Sequence, residues 1–116
     1  MRLRLLPLAL LAALAVVALA GAGTASAKSC SAGKYPGDGY FTSLSVKGTS
    51  CASGRTVEKH HYSCRIHNGG KDGRCNKRVD GYSCSERRNR ISTEINAQVK
   101  CRKGSRRITF TYQQNL

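Results

Sequence analysis

Apolar residues recur at helical spacing in one stretch of the chain and alternate with polar residues in four others. In Thr49–His67 (TSCASGRTVEKHHYSCRIH), Val57, His61 and Cys64 fall at i, i+4 and i+7 and share a face. Gly54 lies one turn earlier, where a sheet can approach closely. Thr49 or Ser50 supplies an N-cap, and Asn68-Gly69-Gly70 supplies the stop. Cys51 and Cys64 mark the two ends of this helix, about 20 Å apart at 1.5 Å per residue. The pattern predicts a beam fastened at both ends.

The alternating segments flank that beam. In Phe41–Lys47, Leu44 and Val46 alternate with Ser43, Ser45 and Lys47, which predicts a first strand ended by Gly48. Val79–Arg88 reads as a second strand, with Tyr82 and Cys84 facing one way, and gives way to a polar connection over Arg87–Ser92. Ile95, Ala97, Val99 and Cys101 alternate strictly, as do Ile108, Phe110 and Tyr112, and Arg102–Arg106 (RKGSR) forms a tight turn between them. Lys28–Tyr40 is rich in Ser, Gly, Pro and Asp and reads as an irregular arm held by Cys30. Asn68–Lys77 reads as a loop tethered at Cys75. The expected fold is α+β: strand, helix, then three antiparallel strands, with the helix packed on one face of the sheet.

Composition changes what must hold this fold together. Arg2 and Arg4, the apolar run Leu5–Ala20 and Ala25-Ser26-Ala27 have the form of a cleaved secretory signal over residues 1–27. Removing 27 residues from 116 leaves one domain of 89, residues 28–116. Its 18 Lys and Arg (20 less Arg2 and Arg4) against 6 acidic residues make a net charge of +12. Those 89 residues contain only 12 Leu, Ile, Val and Phe, a composition that by itself reads as disordered. Six cysteines reverse that conclusion, because an even count in a short exported chain is a disulfide framework worth about 3 kcal/mol per bridge.

Face assignment favours helix-to-sheet bridges, with Cys51 and Cys64 on one side and Cys84 and Cys101 on the other. Cys30 and Cys75 then pair by elimination. A direct Cys84–Cys101 bridge is the alternative if strand register sets them opposite each other. Six cysteines allow fifteen connectivities.

Three motifs recur together: V-K-G-T-S-C-A-S-G-R-T-V at 46–57, G-Y-S-C at 81–84 and V-K-C-R-K-G-S-R-R-I at 99–108. The combination resembles small secreted cysteine-rich proteins of actinobacterial type and unknown function. These show a Cys-Ala-x-x-Arg-x-Val helix start, a Gly-aromatic-x-Cys strand and a Cys-basic-x-Gly hairpin. The likeness spans most of residues 41–112. It implies secretion, disulfides and an α+β fold, and it carries over no site residue.

Candidate chemistry is sparse. His60 and His61 are adjacent on a helix, about 100° apart, and cannot both face one substrate. His61 shares the apolar face and is expected to pack, His60 is expected to be solvated, and His67 can cap the helix C-terminus. A ribonuclease-like hydrolase would need His60 or His67 with Glu58 or Glu86 and an arginine, a pairing that the spacing does not demand. Cys64-x-x-His67 with Cys75 offers metal ligands, but exported thiols oxidise before meeting zinc. No nucleophile-elbow, zincin or calcium-loop motif occurs, and no cofactor is expected.

The basic clusters are the informative feature. Arg74, Lys77 and Arg78 crowd one loop, and Arg87, Arg88 and Arg90 a second. Lys100, Arg102, Lys103, Arg106 and Arg107 crowd the last hairpin, with Lys100 directed away from the helix. Tyr35, Tyr40 and Tyr82 are available for stacking. The expected anion-binding set is Arg87, Arg88, Arg90, Lys100, Arg102, Lys103, Arg106 and Arg107. The expected protein is a secreted, monomeric, non-enzymatic domain that engages anionic envelope polymers or lipid head groups. A small cationic hydrolase and a disulfide-scaffold inhibitor or effector are the alternatives. No RRM, OB or zinc-finger signature marks a nucleic-acid reader, and no long basic amphipathic helix marks a pore former.

Overall fold

A computed structural model of the chain describes residues 26–116. Nearly all of the expected signal segment lies outside the described residues. Within them the elements run β1 (Lys28–Cys30), β2 (Gly39–Lys47), α1 (Cys51–His67), a single 3-10 turn (Gly70–Asp72), β3 (Ser83–Arg90), β4 (Glu94–Lys103) and β5 (Arg106–Asn115). The fold is α+β, with one helix against an antiparallel sheet of order β1-β2-β5-β4-β3. The sheet has five strands rather than three. β5 docks beside β2 and so joins the first strand to the last hairpin. Lys28–Cys30, expected as part of an irregular arm, adds an edge strand with Cys30 opposite Leu44.

The helix forms where its caps permit. The Ser50 hydroxyl accepts the Ser53 N–H at 3.1 Å, and the Asn68 N–H reaches the Cys64 and Arg65 carbonyls at the other end. Helix α1 then carries the chain from β2 across the inner face of the sheet to the far edge strand, β3. Contact at the crossing depends on Gly54, since a Cβ there would lie 2.7 Å from Val46 Cγ1. The buried face joins Leu44 and Val46 of β2, Val57 of α1, Ile95 and Val99 of β4, and Ile108, Phe110 and Tyr112 of β5. Each such side chain removed from water contributes about 1.5–3 kcal/mol.

The strands differ from the pattern in three places. β3 continues to Arg90 where a polar connection over Arg87–Ser92 was expected, because its pairing with β4 runs on to Arg90 opposite Ile95. The predicted strand Val79–Arg88 begins with a tight turn at Asp80-Gly81, where both residues have positive φ and Val79 and Tyr82 exchange backbone hydrogen bonds. In β2 a bulge between Phe41 and Ser43 turns Thr42 and Ser43 to the same side, where both hydroxyls meet Thr111 Oγ1 at 2.6 Å.

The disulfides are Cys30–Cys51, Cys64–Cys75 and Cys84–Cys101. The favoured helix-to-sheet set is therefore incorrect, and the alternative Cys84–Cys101 bridge is the one that forms. The cause is register: Cys84 and Cys101 are direct partners across β3 and β4 with Cα atoms 4.0 Å apart, which leaves neither free for the helix. Cys51 instead takes Cys30 of the edge strand. Cys64 takes Cys75, because the chain turns back at Gly69 and Gly70. Three such bonds form in an oxidising, extracellular-type compartment. Among the described residues no helix is long and apolar enough to cross a membrane.

Candidate functional site: the outer face of the sheet

Antiparallel pairing stacks the polar halves of the alternating strands on the side away from α1. Cross-strand partners share a face, so the register gives four successive rows. Ser83, Arg102, Arg107 and Lys47 form the first, followed by Ser85, Lys100, Thr109 and Ser45. Arg87, Gln98, Thr111 and Ser43 come next, then Asn89, Asn96, Gln113 and Tyr40. Among the described residues no buried apolar side chain belongs to this face. It is a flat field of hydroxyls and amides with five cations: Lys47, Arg87, Lys100, Arg102 and Arg107.

The acids lie elsewhere. Glu58 is on the helix and Glu86 on the inner face of β3. Asp72 binds Arg90 at 2.5 Å, Asp80 binds His60 at 2.7 Å, and Asp38 accepts from Asn115 at 3.1 Å. Among the described residues, acids reach the outer face only at the end remote from the hairpin, where Glu94 accepts from Asn96 at 3.1 Å and Asp38 meets Asn115. The five cations form no ion pair among the described residues. Two shallow depressions adjoin on this face. One of about 450 Å³ includes Ser85, Lys100, Arg102, Arg107 and Thr109, and one of about 390 Å³ includes Arg87, Asn96, Gln98 and Thr111.

Of the eight predicted residues, Arg87, Lys100, Arg102 and Arg107 are thus brought together. Arg88 is not with them. It alternates to the inner face, where its side chain is 8 % exposed. There its guanidinium lies 2.6 Å from Glu86 and donates to the Asp72 and Gly73 carbonyls and to Tyr112. Tyr112 also donates to Glu86. Arg88 is a structural cation, satisfied within the protein. Arg90 is exposed but held by Asp72, and this pairing keeps the Asp72 carboxyl below its usual range. Lys103 and Arg106 point to the helix side of the hairpin.

Lys47 is a member that charge clustering in the sequence missed, since it stands alone there. Its alternation with Ser43 and Ser45 was the available signal, and only the β2–β5 pairing sets it beside Arg107.

The histidines are dispersed. His61 is buried with its ring edge against Phe110 at 5.3 Å, and burial pushes it down to about 4. His67 sits 2.9 Å from the Ser63 carbonyl. His60 pairs with Asp80, in place of Glu58 or Glu86. Cys64 and Cys75 are bonded to each other, which removes both thiolates from the Cys64/His67/Cys75 metal arrangement. Glu58 is fully buried on α1, accepts the Gly33 N–H at 3.4 Å, and is pushed up to about 7 by that burial.

One buried polar cluster ties the arm to the core. The Tyr35 hydroxyl donates to Gln114 at 2.6 Å and accepts from Arg65 at 2.6 Å, and the Arg65 guanidinium covers the Tyr112 ring at 4.2 Å. Burial pushes the Tyr35 hydroxyl up to about 12. No family model matches the chain, and no curated protein or solved structure matches it.

Proposed function

We propose that this is a secreted cationic domain that binds anionic polymers of the cell envelope or its surroundings through the outer face of its sheet. The carrying observation is the charge segregation on that face: five cations free of ion pairs among the described residues, flanked by Ser, Thr, Asn and Gln, with acids only at the far end. Arginine forks and lysine ammonium groups fit phosphate, sulfate or carboxylate, and the neighbouring hydroxyls and amides hydrogen-bond a polyol or sugar backbone. A flat face suits a polymer better than a small molecule, which needs a concave pocket. Secretion rests on the segment over residues 1–27 and the oxidised framework. The activity is retention by binding, without chemistry.

Co-sedimentation of the oxidised protein with purified cell envelopes across a salt series tests this reading. Five engaged cations should cost on the order of a hundredfold to a thousandfold in affinity between 50 and 200 mM salt. The variant Arg87→Glu/Lys100→Glu/Arg102→Glu/Arg107→Glu should lose retention, and undiminished retention rejects the assignment. Salt-insensitive binding of the native protein would favour a specific protein partner.

A further inference from the structure

Arg102 pairs with Arg107 and Lys103 with Arg106 at the end of the β4–β5 hairpin, so consecutive residues send their cations to opposite faces. The outward pair lies on the field described above. The inward pair lines a groove of about 380 Å³ between the first half of α1 and two hairpin tips, with Thr49, Ser53, Thr56 and Asp80. Lys103 Nζ rests 3.4 Å from the Asp80 carbonyl and above the Tyr82 ring. Neither Lys103 nor Arg106 has an acidic partner among the described residues. The one carboxylate nearby, Asp80, is already taken by His60, which pins the tip to the helix. The first turn of α1 contains no acidic residue and adds only hydroxyls.

We infer that the hairpin end is a two-faced clamp whose ligand is a narrow, flexible polyanion that passes over the Gly104-Ser105 tip, from the outer row into the inner groove. The inference rests on the outer-face reading and selects among its ligands. A planar bilayer laid on the outer face cannot reach the groove. The inner pair projects from the opposite side of the sheet, so it makes no direct contact with such a surface and acts on it only through screened charge. A single polymer strand bearing phosphate-like groups can follow the tip and meet both pairs. The groove also supplies hydroxyls, which can bond to the oxygens of such a strand.

The test compares two exposed charge-reversal variants of equal charge change, Arg102→Glu/Arg107→Glu and Lys103→Glu/Arg106→Glu. Lys34→Glu/Lys59→Glu, remote from the hairpin, is the control. Each is titrated with long-chain inorganic polyphosphate and with phosphatidylglycerol vesicles, after thermal melts confirm folding. On polyphosphate, both hairpin variants should bind at least tenfold more weakly than the control, each with a salt slope lower by about 2. On vesicles, only Arg102→Glu/Arg107→Glu should fall below the control. Polyphosphate binding by Lys103→Glu/Arg106→Glu equal to the control overturns the clamp and leaves the outer-face reading standing. Loss of vesicle binding equal in the two hairpin variants also overturns it. If Arg102→Glu/Arg107→Glu matches the control on both probes, the outer-face reading fails and takes the clamp with it.

Discussion

Gly54 and Val46 approach so closely that a methyl group on Gly54 would sit 2.7 Å from Val46 Cγ1, with Leu44 Cδ1 at 3.2 Å. Helix α1 lies on β2 at this point, and both valine and leucine are buried. Gly54→Ala gains about 1 kcal/mol of helix propensity and loses roughly 1–3 kcal/mol to overpacking. The expected net effect is a lower melting temperature, and Gly54→Val should be worse. A thermal melt in which Gly54→Ala is stabilised would show that the helix can lift off the sheet at no cost.

Adjacent arginines on β3 should behave in opposite ways. Arg88→Ala leaves Glu86 buried without its principal partner and should cost about 3–5 kcal/mol by denaturant titration. Arg87→Ala touches nothing buried and should stay within about 0.5 kcal/mol of the native protein while weakening envelope retention. Equal effects on stability would contradict the face assignment.

Two buried groups on α1 give opposing pH slopes. Glu58 is raised to about 7 from 4.5, so the folded state holds a proton that the unfolded chain releases. Its stabilisation is complete below about pH 4.5 and is lost as pH rises towards 7. His61 is lowered to about 4 from 6.5, so its stabilisation is present above about pH 6.5 and is lost as pH falls towards 4. Over the shared window the two largely cancel. Glu58→Gln removes one slope, and that variant should gain stability as pH rises from 4.5 to 6.5. A variant with the same pH profile as the native protein would mean that Glu58 is ionised in the fold.

Bridges close loops with sequence separations of 21, 11 and 17 residues, each worth about 3 kcal/mol by chain entropy. Cys30→Ser/Cys51→Ser should lower stability by roughly that amount and expose the arm to protease near Gly33, because the bond joins the arm to the helix start. Non-reducing peptide mapping should recover Cys30 with Cys51, Cys64 with Cys75 and Cys84 with Cys101. A peptide joining Cys51 or Cys64 to Cys84 or Cys101 would reject the topology.

Local chemistry in the sequence was enough for the helix, its Ser50 cap, the close approach at Gly54, the β4–β5 hairpin and the outward direction of Lys100. Each depends on residues within a few positions of one another, where periodicity and capping act directly. Long-range pairing decided the rest. β1 has three residues and no alternating pattern, and it exists only because β2 offers a free edge. Lys47 joins the cationic face only because β5 inserts between β2 and β4. The basic run at Arg87–Arg90 looks uniform as text, yet strand alternation directs Arg88 inward to Glu86 and leaves Arg87 outside. Cysteine pairing followed the same logic, since register brought Cys84 opposite Cys101 and the turn after α1 brought Cys64 to Cys75. Sequence by itself determined which residues could face the same way. Which faces meet, and which charges remain free for a ligand, was decided by the tertiary structure, because those outcomes depend on distances between segments far apart in the chain.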